Sequence, residues 1–210
     1  MFSFAGAPVP VRADLRFIYM AAWGHFARPG ATLTGRTRID VLHAARRHVA
    51  EQSAQIIGIG PELGRLADAL YRDPISVDGS MVRNAAAVHG DAVVVEVISI
   101  ISMLSSVDGT HRALAAELEP LPEPEHGDPT GDVATGLKRR RTHIPVPAGA
   151  INVMFDLVPM EGAAFQMLFG PQYMTGWEMG FERFGRTPGL NRAQMELVSS
   201  RTSIHNECFY

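Results

Sequence analysis

The residue pattern with the clearest chemistry lies in Leu190–Tyr210, LNRAQMELVSSRTSIHNECFY. Cys208 is the single cysteine of the chain, and Glu196 precedes it by twelve residues. A carboxylate on one helix faces a thiol at the start of the next if the chain turns near His205-Asn206. Unpaired backbone N–H groups at a helix start favour thiolate over thiol. A neighbouring glutamate can then take and return the proton as the sulfur reacts. The plainer reading is a cysteine used as a small hydrophobe and a glutamate on a solvated helix face. Both stay open on the residues alone.

Other chemistry-bearing residues form weaker patterns. The eight histidines are scattered, and His43 and His48 are five apart rather than at the i, i+4 spacing of paired helical metal ligands, so no metal site is expected. His111 follows Asp108 by three residues, which suits either a pocket histidine oriented by that carboxylate or a buried structural one. The run Lys138-Arg139-Arg140-Arg141 could meet phosphates, but in a proline-rich setting it reads as solvated. Gly58-Ile59-Gly60 lacks the preceding strand and later glycine of a dinucleotide loop, and no cofactor is expected. Nineteen basic against twenty-two acidic residues leave a formal charge of −3, which argues against a general electrostatic grip on nucleic acid.

The elements that must position these residues are helical. Leu15, Ile18, Tyr19, Ala22, Trp23 and Phe26 recur at helical spacing and predict a helix over 12–27, stopped by Pro29-Gly30. Thr34 is a candidate N-cap for a second helix to about Ile57. A short helix from Pro61 to Asp73 and another over Gly79–His89 follow. The run Val93-Val94-Val95-Glu96-Val97-Ile98 suits a strand by propensity, yet Val94, Val97, Ile98, Ile101 and Leu104 keep a helical period. A long buried helix from an Asp91 cap to Leu118 is expected. Its apolar stretch, Ala92 to Val107, carries Glu96 and several serines and falls short of the roughly 20 apolar residues of a bilayer span, and no signal peptide is evident, so a cytoplasmic address without membrane association is the expectation. A lone thiol agrees with a reducing compartment.

Residues 120–150 are rich in proline and glycine and read as a linker or a surface arm. Beyond it, 151–158 and 161–169 look like two helical pieces broken at Pro159, the second ended by Gly170-Pro171. A last helix is capped by Asn191, with Gln194 reaching back. The fold class is all-α. The organisation expected is a helical unit over 1–119, the arm over 120–150, and a second unit over 151–210.

Glu196, Ser203, Asn206, Cys208 and Tyr210 stand as E-x6-S-x2-N-x-C-x-Y, which resembles the core motif of the alkylhydroperoxidase AhpD-like, carboxymuconolactone decarboxylase superfamily. Residues 63–118 resemble the stretch that follows the cysteine pair in such proteins, and the LPEPEHGDP segment with the later proline-bounded helices resembles larger, two-unit members. In the peroxidase branch the motif continues with a second cysteine and, after three residues, a histidine; neither is present in this chain. Residues 33–52, LTGRTRIDVLHAARRHVAEQ, can be laid on the same motif, with Asp40 at the place of Glu196 and Gln52 at that of Cys208. The resemblance implies an AhpD-like helical bundle, possibly of two repeated units, that reduces alkyl hydroperoxides. Cys208 would be one member of a redox pair and Glu196 a proton relay, with Ser203, Asn206 and Tyr210 shaping the site; His111, from its own place beside Asp108, is a further candidate for shaping it. A peroxide substrate, a dithiol reductant and a homo-oligomer are implied, with interfaces at 151–174 and the Val93–Leu118 helix. Lacking the second cysteine, the 210 residues are expected to turn over poorly and to be a fragment of a longer active protein. The alternatives are a non-catalytic helical scaffold and a decarboxylase-like acid/base enzyme of the same superfamily.

Overall fold

A computed structural model describes residues 2–47, 59–147, 154–175, 177–184 and 190–205. Among these the regular elements are helices: α1 (Ala13–Ala27), α2 (Gly35–Arg47), α3 (Gly60–Arg72), α4 (Gly79–His89), α5 (Asp91–Ala113), α6 (Pro159–Gln172) and α7 (Arg192–His205), with 3-10 turns at Pro74–Ser76 and Glu178–Gly180. The only strand-like pairing among the described residues is a single bridge between Lys138 and Val146. The protein is all-α.

Helix α5 is the axis of the bundle, packed against α1, α2, α3 and α4. Twelve of its residues are buried, among them Val94, Val95, Val97, Ile100, Ile101, Leu104 and Val107. A helix enclosed on nearly all sides needs no narrow apolar stripe, so β-branched residues serve wherever they fill space. That is why a strand-prone run is helical here: burial outweighs intrinsic propensity. By length and composition alone α5 could also cross a membrane, but 61% of its most apolar window is buried inside the bundle. Most of its side chains belong to the core.

The local signals explain most helix ends. Thr34 caps α2 by accepting from the Thr37 amide at 3.1 Å. Asp78 caps α4 by accepting from the Met81 amide at 2.8 Å, and Gly90 closes that helix with φ of +87°, in the left-handed region that favours glycine. Gly90 is also the N-cap of α5, so Asp91 lies in the first turn rather than at the cap. The helix ends at Ala113 instead of Leu118 because Ala115 adopts φ of +50° and the chain turns back to give the Glu117 amide to the Ala5 carbonyl. Residues 48–57 of the expected second helix lie outside the described residues.

The proline-rich stretch is an arm. It runs along the bundle with the Glu125, Thr130 and Gly131 amides donating to the carbonyls of Ala27, Gly30 and Ala31 at 2.8–2.9 Å. These bonds, rather than a regular element, tie its backbone to the end of α1 and the loop after it. Pro159 starts α6 instead of breaking a helix, as its missing N–H is harmless in the first turn. Pro171 sits inside the last turn, and the helix continues to Gln172.

The chain divides into two compact units, Met1–Leu168 and Phe169–Tyr210. The arm and the start of α6 thus belong with the first unit, a different division from that at 119 and 150. The reason is packing: Phe155, Leu157 and Val158 bury against Ala31 and Val95.

Candidate functional site

Helix α7 carries the described part of the sequence motif. The Gln194 amide donates to Asn191 Oδ1 at 3.0 Å, and the Asn191 amide to Gln194 Oε1 at 2.9 Å, the reciprocal capping box foreseen from the sequence. Arg192, Glu196, Ser199 and Ser203 follow at i, i+4, i+7 and i+11, which places them on one face. All four are half-buried, unlike their exposed neighbours Leu197 and Val198. The Tyr173 hydroxyl donates to Glu196 Oε2 at 2.7 Å, and Arg192 donates to Oε1 at 3.4 Å. Burial, then the hydrogen bond to the carboxylate, raise the Tyr173 pKa, so the phenol stays a donor at neutral pH. Sequence reasoning named Glu196 and Ser203 but missed Tyr173 and Ser199. Asn206, Cys208 and Tyr210 lie outside the described residues.

His111 sits in the core of the first unit. Its Nδ1 pairs with the Val107 carbonyl at 2.9 Å, one turn back on α5, and its ring stacks on Phe4 at 4.2 Å with 9° between planes. Asp108 does not orient it. That carboxylate is held by Arg46 through both oxygens, at 2.9 and 2.6 Å, and by the Tyr71 hydroxyl at 2.5 Å. Three residues along a helix put Asp108 and His111 on neighbouring faces, and the arginine claims the acid first. The Tyr71 pKa is raised, by burial and then by its bond to Asp108.

A second cluster was not foreseen. Arg38 is fully buried, and its Nη1 donates to Glu96 Oε1 at 2.5 Å and to Glu161 Oε1 at 2.7 Å, both carboxylates being fully buried too. Glu96 Oε2 accepts from the Thr32 amide and hydroxyl at 2.9 and 2.7 Å. Glu161 Oε2 meets His25 Nε2 at 3.0 Å. Burial by itself would raise the Glu161 pKa, but the bond to His25 and the charge of Arg38 bring it below the usual value. The network ties α1, α2, α5, α6 and the loop at Thr32. Closed to solvent at its centre, it holds the bundle together rather than meeting a substrate. Glu96, a charge inside an apolar run, was the one visible signal; its partners Arg38 and Thr32 lie 58 and 64 residues away in sequence.

Asp40, the residue aligned with Glu196, pairs with Arg36 one turn earlier at 2.9 Å. In the basic run, Arg139 is held by Asp91 at 2.5 Å and by the His143 carbonyl. Among the described residues no group of three His, Cys, Asp or Glu is arranged to hold a metal ion. No family model, curated protein or solved structure matches this chain. Its reading therefore rests on its own residues.

Proposed function

We propose that the chain is an AhpD-like helical protein whose chemistry is thiol-dependent reduction of alkyl hydroperoxides. The observation that carries the reading is Glu196, half-buried on α7, its carboxylate fixed by the Tyr173 hydroxyl at 2.7 Å and sharing a helix face with Ser203. The motif of Glu196, Ser203, Asn206, Cys208 and Tyr210 supplies the rest. In the proposed step Glu196 accepts the Cys208 proton, and the thiolate attacks one peroxide oxygen. An S–O bond forms, the O–O bond breaks, and the departing alkoxide takes the proton back from Glu196 as an alcohol. Cys208 is left as a sulfenic acid. A dithiol reductant then restores the thiol through a mixed disulfide and releases water. With one cysteine, this chain depends on that external thiol at every cycle, so slow turnover is expected.

The test is peroxide consumption with a dithiol present, for this chain, for Cys208→Ser and for Glu196→Gln. One fast equivalent of sulfenic acid, lost in Cys208→Ser and slowed roughly 10²-fold or more in Glu196→Gln, is the expected result. Adding cysteine, three residues, histidine and a further helical turn should restore multiple turnover. Equal consumption by the parent and Cys208→Ser would overturn the reading.

A second reading, a helical self-association module, is favoured by one observation. Helix α7 has no buried residue and leaves Leu197 and Ile204 each 70% exposed, with Val198 at 57%. Apolar groups so placed favour a homo-oligomer. Light scattering should give a homo-oligomer at micromolar concentration that Leu197→Ser with Ile204→Ser dissociates; a monomeric parent would refute it.

A further inference from the structure

The segment 2–7 lies across the first unit as a strap. Phe2 and Phe4 are buried beneath it: Phe2 meets the Trp23 ring edge-on at 4.8 Å, and Phe4 stacks on His111. The strap's polar anchorage converges on one atom. Glu119 Oε1 accepts from the Ser3 amide at 2.5 Å, the Phe4 amide at 3.1 Å and the Ser3 hydroxyl at 3.3 Å. Phe4 holds φ of +48°, a left-handed backbone that a bulky residue adopts only under constraint.

Beneath the strap a buried ring nitrogen has no partner. His111 Nδ1 donates to the Val107 carbonyl, and in the neutral form of such a ring Nε2 carries a lone pair. Nε2 is fully buried without a hydrogen-bond partner, and Glu119 Oε1 lies 3.9 Å from it. A lone pair and a carboxylate oxygen at that separation are matched by one nitrogen with several N–H groups set between them. The strap's amides satisfy Glu119 only. Beside the strap, Phe2, Met20, Trp23, Glu119 and Pro120 line an open cleft of about 220 Å³, which gives access to its edge.

We propose that the strap is the built-in occupant of a pocket for aromatic amines. Phe4 fills the place of the ligand's ring and the Ser3 and Phe4 amides that of its nitrogen. A primary arylalkylammonium would put its ring against His111 and Trp23, donate to Glu119 as the strap does, and also supply His111 Nε2 with the donor it lacks. The ligand class follows from charge: an arylalkyl carboxylate would set its anion against Glu119 and be excluded. Glu119 and His111 are the specificity residues, and displacing the strap is the condition for entry.

Phenethylamine and 3-phenylpropionate are the probes, read by Trp23 fluorescence in a Trp177→Phe background and by calorimetry. The parent chain should bind phenethylamine weakly. Phe4→Ala, and separately deletion of 2–6, should tighten binding at least tenfold. Glu119→Gln in the Phe4→Ala background should reverse most of that gain, while 3-phenylpropionate should not bind. Folding of each variant is checked by circular dichroism. Folded Phe4→Ala without saturable phenethylamine binding overturns the proposal, and so does equal binding of amine and carboxylate. If Phe4→Ala does not fold, the strap is an indispensable part of the core and the proposal fails as well; if only the deletion does not fold, Phe4→Ala decides.

Discussion

Replacing Arg38 by methionine should be among the most damaging single changes in the first unit. The guanidinium is fully buried between Glu96 and Glu161, whose carboxylates have no exposure of their own. Methionine leaves both acids in place without their cation. Glu96 would keep the Thr32 amide and hydroxyl, and Glu161 would keep His25, so part of each charge stays stabilised. Breaking one buried pair by removing a partner costs about 3–5 kcal/mol. With two acids stranded but each retaining other bonds, about 4 kcal/mol is expected overall. For a unit of this size that lowers Tm by roughly 10 °C. Thermal and urea unfolding followed by circular dichroism at pH 7 measure it. The control is the triple change of Arg38, Glu96 and Glu161 to methionine, which removes every charge and should regain most of the loss. A loss below about 1 kcal/mol for Arg38→Met, or a triple variant no more stable than the single one, would refute the view that uncompensated buried charge sets the cost.

The same network sets an acid limit. Because the Glu161 pKa is held below its ordinary value of about 4.3, its stabilisation is complete above that pH and is lost as pH falls through the lower, folded value. Unfolding midpoints measured from pH 6 to pH 2 should fall mainly below about 4, less steeply in Glu161→Gln. Gly30→Ala places a Cβ 1.6 Å from Glu96 Oε1, an oxygen that Arg38 holds, and Gly35→Ala places one 2.2 Å from the Ala27 carbonyl, which is backbone. Each should cost about 2 kcal/mol or more by urea unfolding, whereas Gly24→Ala, with open space around it, should be tolerated. Asn191→Ala removes half of the α7 capping box and should cost about 1 kcal/mol, read as fraying of α7 by amide exchange, with Asn191→Asp retaining most of the stability.

Much of the fold was legible in the residues because the deciding interactions are local. Helical spacing in α1, the Thr34 cap and the reach of Gln194 back to Asn191 each act within one turn of chain. Even α5 was readable as a helix, since its apolar period outlasts a strand. Glu196 and Ser203 were singled out through the motif they belong to, and their i, i+7 spacing puts them on one face of α7. The rest required the fold. Nothing near Arg38 in sequence says that it is buried, since only the packing of α2, α5 and α6 brings two acids to its tip. Asp108 stands beside His111 in the chain yet pairs with Arg46, 62 residues away, and Tyr173 reaches Glu196 from 23 residues earlier in the chain. The strap over His111 was invisible for the same reason. Its function as a cover comes from Glu119, over a hundred residues later, and hydrogen bonds between charges and amides depend on distance in space, not along the chain.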